Sequence, residues 1–199
     1  VSSKKIKRKE YHKVILPILL SISVFLFLAF SNVLVLNQII IVVSSAIISF
    51  YLISIINETR YTFASISSFF SALVFFFAAH SMFGNTAVPY WFIICLISIF
   101  SSLLLYCKMA YAELDKSEII LFIALIFVVM AEVSFISFFI PVGILIKSLI
   151  LVFVYYLYWG ALSSYIGSKV TVRDLAKYIL VFLFLSFVIF INYLWGGAK

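Results

Sequence analysis

Charge is the scarcest resource in this 199-residue chain. Asp, Glu, Lys and Arg make up 11% of it, while 66% is hydrophobic. Soluble domains carry about 25% charged and about 45–50% apolar residues, so a soluble fold of this length lacks the polar surface to cover its apolar content. No polar stretch is long enough to fold as a separate soluble domain. Acids are scarcer than bases, 7 against 14. Cysteine is nearly absent as well. Cys95 and Cys107 fall in one apolar run, about 18 Å apart along a helix, too far to bridge each other. No Cys/His spacing suits a metal, and no cofactor is expected.

The three prolines, Pro17, Pro89 and Pro141, lie near the starts of apolar runs or at turns, where proline is tolerated. None interrupts the middle of a run, which counts against a transporter built on unwound helices. Catalytic signatures are missing too. There is no HExxH, no GxSxG and no Walker A motif. The last apolar run has Lys177 only at its start, so it offers no interior lysine for a retinal Schiff base.

What the chain does have is apolar length. A helix crosses a bilayer in about 20 apolar residues, and seven runs qualify: 14–30, 36–56, 62–83, 89–107, 118–139, 142–164 and 175–195. They are continuous rather than alternating, which excludes barrel strands. The expectation is an all-α, polytopic transmembrane helix bundle of seven spans, six if one run is demoted. Residues 1–13 form a basic cytoplasmic tail and 14–199 a single transmembrane domain. The first run has a basic leader but is long for a signal peptide and no small-x-small site follows it, so it reads as an uncleaved span.

Basic residues give the orientation. Lys4, Lys5, Lys7, Arg8, Lys9 and Lys13 precede the first run. With the N-terminus in the cytoplasm, Arg60, Lys108, Lys116, Lys169, Arg173 and Lys177 also fall inside. Only Lys199 falls outside, and Lys147 lies in a span. This asymmetry predicts N inside and C outside, in a cell membrane that is most simply a prokaryotic cytoplasmic membrane. The juxtamembrane cluster suits anionic lipid headgroups, not nucleic acid.

Small residues mark expected helix contacts, because lipid supplies no hydrophobic drive between spans. Ala64, Ser68 and Ala72, Ser45 and Ser49, and Ser98 and Ser102 recur at four-residue spacing. They predict a tight unit of the second, third and fourth helices. Tyr155, Tyr156, Tyr158 and Trp159 read as an interfacial belt, as do Tyr90 and Trp91, and Tyr193 and Trp195.

Three residues form the candidate intramembrane polar site: Glu132, Lys147 and His80. An ionised group inside a span costs about 2.5–3.5 kcal/mol and normally finds a partner. Glu132 and Lys147 flank the corner at Pro141 and are candidates for an ion pair. Side-chain direction opposes it, since Glu132 leans deeper and Lys147 leans outward. The alternative is a neutral Glu132 hydrogen-bonded to a serine or another helix. His80 reads as an interfacial histidine or as a proton acceptor.

The leading functional reading is a non-enzymatic scaffold or accessory subunit of a membrane assembly, with lipid and a membrane protein as partners. The second is a small-solute or proton-coupled transporter using Glu132 and Lys147. The third is a membrane enzyme acting on lipid at the cytoplasmic face, where Glu58, Glu113, Asp115, Glu118 and Asp174 lie.

Overall fold

A computed structural model describes residues 2–31, 34–56, 60–109 and 115–166. Among them the chain is all helical, with six helices: α1 Ser2–Phe30, α2 Leu34–Ile56, α3 Arg60–Asn85, α4 Tyr90–Met109, α5 Lys116–Phe139 and α6 Ile144–Ile166. Five of these, α2 to α6, are long and apolar enough to cross a membrane, and the apolar part of α1 runs Ile15–Phe30. The protein is a helical membrane bundle. The run at 175–195, residues 167–174 of the loop expected before it and the side chain of Ala64 lie outside the described residues; Tyr165 and Ile166 end α6.

Helix ends follow local chemistry. The Asp115 N–H donates to the Glu118 carboxylate at 3.3 Å, so an acid three residues on satisfies a free donor at the start of α5. Pro141 and Gly143 make the α5–α6 corner, where the Val142 N–H donates to the Ile140 carbonyl at 2.9 Å. α1 begins at Ser2, so the basic segment is its first turns. Pro17 therefore sits inside a helix rather than at its start. It lacks the N–H that a residue there would donate back along the helix, and it lies at the beginning of the apolar part of α1.

The helices run alternately up and down. The Asn85 amide donates to the Phe30 carbonyl at 2.8 Å, tying the ends of α1 and α3 together. Phe83 and Tyr90 meet Phe138 at the same end, with ring centroids 4.9 and 6.5 Å apart. α3 is the hub. It packs most extensively on α1, then on α6, α4 and α2, while α4 packs chiefly on α5. Phe75 of α3 and Phe100 of α4 stack with centroids 3.7 Å apart and planes 3° apart, fixing the register of the two helices.

Two expectations are corrected. α2 is peripheral, and Ser45 and Ser49 are exposed on it, each donating to the carbonyl four residues earlier at 2.8 Å. Their hydroxyls are satisfied within the helix, so nothing draws them to an interface. Ser68, Ala72, Ser98 and Ser102 are buried. The aromatic group on α6 is also not a lipid-facing belt. Tyr155 and Trp159 are buried, and the Tyr158 hydroxyl donates to the Phe122 carbonyl of α5 at 2.8 Å. Tyr90 and Trp91 are exposed at the start of α4.

Candidate functional site

The three candidate polar residues separate. Glu132 is exposed on α5, away from the bundle interior, and has no hydrogen bond or ion pair among the described residues. It sits seven residues from the end of α5, about 10 Å along the helix axis, and its side chain leans further in. Lys147 does not reach it. The Lys147 ammonium is half-buried and donates instead to the Phe138 carbonyl, a long contact of 3.5 Å at the end of α5. Lys147 follows the direction of its Cα–Cβ bond, towards the start of α6 and the end of α5.

His80 of α3 is buried against α5. Its Nδ1 donates to the Phe76 carbonyl at 2.9 Å, and its Nε2 lies 3.2 Å from the Ser137 hydroxyl. Ser137 in turn is 2.7 Å from the Ser134 carbonyl. The ring leans on Phe138, with centroids 5.4 Å apart, and the Lys147 ammonium is within electrostatic reach. His80 and Lys147 therefore share one neighbourhood near the corner of α5 and α6, and Glu132 is not part of it.

A second polar cluster lies at the opposite end of the bundle. Lys108, which read as a loop base, is in the last turn of α4 and only 6% exposed. Its Nζ lies 4.4 Å from the centre of a Trp159 ring and 5.5 Å from that of Tyr155, both on α6. The aromatic faces attract the cation but accept none of its three N–H bonds in the usual way. No carboxylate pairs with it among the described residues. The signal missed in the sequence was the combination of a lysine at the end of an apolar run and an aromatic pair four residues apart in another.

Buried hydroxyls of α3 and α4 differ in how they are satisfied. Ser98, Ser101 and Ser102 of α4 donate to carbonyls of their own helix at 2.7–2.8 Å. Ser67, Ser68 and Ser71 of α3 are as deeply buried, yet among the described residues their hydroxyls have no hydrogen-bond partner, and neither does that of Tyr155. Among the described residues no group of His, Cys, Asp and Glu is arranged to hold a metal ion. No family model, curated protein or solved structure matches the chain.

Proposed function

We propose that this protein is a non-enzymatic subunit of a larger membrane assembly. It acts as a scaffold or accessory chain with seven spans, its N-terminus in the cytoplasm and its C-terminus outside. The observation that carries the reading is Glu132. A carboxyl exposed on the outer face of a span, with no partner among the described residues, costs about as much as other intramembrane charges, roughly 3 kcal/mol. A helix of another subunit bearing a basic or hydrogen-bonding side chain at that depth removes the cost. α5 is suited to the contact, because little of its surface is used inside the bundle. The twelve-to-one distribution of basic residues supports the topology, and the N-terminal cluster suits anionic headgroups of a prokaryotic cytoplasmic membrane.

The test is site-specific photo-crosslinking in native membranes. Val128 and Ile136 are exposed one turn either side of Glu132, and Val42 is exposed on α2. Probes at 128 and 136 should give one discrete protein adduct that Glu132→Leu abolishes, whereas a probe at 42 should give lipid adducts. Lipid adducts alone at both α5 positions would overturn the reading.

A transporter is the second reading, supported by the buried His80–Ser137 contact near Lys147. It no longer draws on a Glu132–Lys147 pair. A membrane enzyme has less support. Glu118 is engaged at the start of α5, and Asp115 is exposed there.

A further inference from the structure

The cluster around Lys108 carries an inference of its own. A buried ammonium without a counter-ion is among the least stable arrangements a bundle can hold. Buried hydroxyls without partners are rare, because each pays for lost hydration. Among the described residues both occur at the same end of the bundle.

Cross-helix contacts place them at one height. Phe75 stacks on Phe100. Ser67 lies eight residues before Phe75 and Lys108 eight residues after Phe100, on helices of opposite direction. That is about 12 Å towards the same end in each. Phe69 of α3 meets Tyr156 of α6 edge to face, with centroids 5.9 Å apart, so Ser68 and Tyr155 lie within about 3 Å of one height. Ser71 is one turn further in on the α3 side. Ser98, Ser101 and Ser102 of α4 close their own bonds; Ser67, Ser68 and Ser71 of α3 do not. α3 packs on both α4, which carries Lys108, and α6, which carries Tyr155; the Ser134 hydroxyl of α5 is also unpartnered among the described residues, but towards the other end of the bundle.

We propose that Lys108, Tyr155, Ser67, Ser68 and Ser71 form an oxyanion site that takes a phosphate group. The ammonium supplies the charge and the hydroxyls supply further donors. A carboxylate presents two oxygens to such a set, whereas a phosphate presents three or four. Trp159 and the Tyr155 ring hold the lysine stem-to-head direction, so the cation is aimed before the anion arrives. Lys108 is the penultimate residue of α4, at the end of a span, where lipid phosphates lie. The phosphate belongs either to a lipid headgroup or to a free anion from the adjoining aqueous phase.

The experiment uses the full chain purified in mild detergent and reads thermal stability. One arm adds inorganic phosphate at constant ionic strength. A second adds phosphatidic acid, and a third phosphatidylcholine of the same chain length. The variants are Lys108→Met, Tyr155→Phe, Ser68→Ala and a chain with Lys4, Lys5, Lys7, Arg8 and Lys9 changed to Gln. Saturating phosphate in its proper source should raise the wild-type Tm by about 5 °C. The N-terminal variant should respond equally, and Lys108→Met by less than about 1 °C. A response to both phosphate sources identifies the free anion as sufficient; a response to phosphatidic acid alone assigns the headgroup. If Lys108→Met fails to fold, Tyr155→Phe and Ser68→Ala decide, each expected to weaken the dissociation constant about tenfold. No response in the wild type overturns the proposal, because water then satisfies the cluster. So does an unchanged response in Lys108→Met, or in both hydroxyl variants.

Discussion

Ser137 Oγ lies 3.2 Å from His80 Nε2 and 2.7 Å from the Ser134 carbonyl, and its single proton serves only one of them. The other ring nitrogen has no such freedom. Nδ1 faces the Phe76 carbonyl at 2.9 Å, and a carbonyl only accepts. Nδ1 therefore carries a proton in the neutral and the charged ring alike. In the neutral ring Ser137 donates to Nε2; in the charged ring Nε2–H donates to Ser137, which keeps the Ser134 carbonyl.

This arrangement predicts the tautomer. The chain has two histidines, so His12→Gln leaves His80 alone. Nitrogen NMR of labelled His80 should show a protonated Nδ1 at every pH at which the protein stays folded. A neutral ring protonated on Nε2 contradicts the geometry. Ser137→Ala should cost about 0.6 kcal/mol, and no more than about 1.7, as other intramembrane hydrogen bonds do.

Glu132 and Lys147 should be energetically independent. Lys147 donates to the Phe138 carbonyl, and Glu132 is exposed on α5. In a double-mutant cycle with Glu132→Leu and Lys147→Leu, measured as unfolding free energy in detergent, the coupling should lie within about 0.3–0.5 kcal/mol of zero. A coupling of about 1 kcal/mol or more would restore the ion pair. If the proposed subunit reading holds, Glu132→Leu should still impair the assembly in native membranes, because that reading puts the partner of Glu132 on another chain.

The two serine stripes should differ sharply. Ser68 is fully buried on α3, and Ser45 is exposed on α2. Ser68→Leu forces a large side chain into a close-packed face and should cost about 1–3 kcal/mol. Ser45→Leu faces lipid and should change stability by no more than about 0.5 kcal/mol. Chemical unfolding of the two variants in one detergent checks this, and equal midpoints would remove the argument.

Topology is open to labelling. Asn85 and Asp115 are exposed at opposite ends of the helix array. With Cys95 and Cys107 changed to Ser, Asn85→Cys should react with an impermeant maleimide in intact cells. Asp115→Cys should react only after permeabilisation. The reverse pattern would place the N-terminus outside.

Much of the architecture was legible in the chain because lipid makes it so. Bilayer thickness sets the length of a span, and backbone groups in lipid must close their own hydrogen bonds. Continuous apolar runs of about 20 residues therefore announce helices, and the structure places α2 to α6 within two residues of those runs at each end. Which face of a span turns inward was not legible. In apolar helices both faces are greasy, so hydrophobic periodicity carries little signal, and Ser45 looks like Ser68 until their neighbours are known.

The polar residues divide along the same line. The sequence by itself determined that Glu132 lies inside a span, because depth follows from counting residues along a helix. Side-chain lean towards each helix's own N-terminus opposed a Glu132–Lys147 pair but did not decide it; the Lys147 contact with the Phe138 carbonyl came from the tertiary structure. Only the tertiary structure decided that Lys108 is enclosed while Glu132 is exposed, that Tyr155 and Trp159 turn inward, and that His80 meets Ser137 57 residues away. Those facts depend on helix rotation and register. In a bundle of uniformly apolar helices, rotation and register are set by close packing between helices, as in the Phe75–Phe100 stack, rather than by any pattern along one of them.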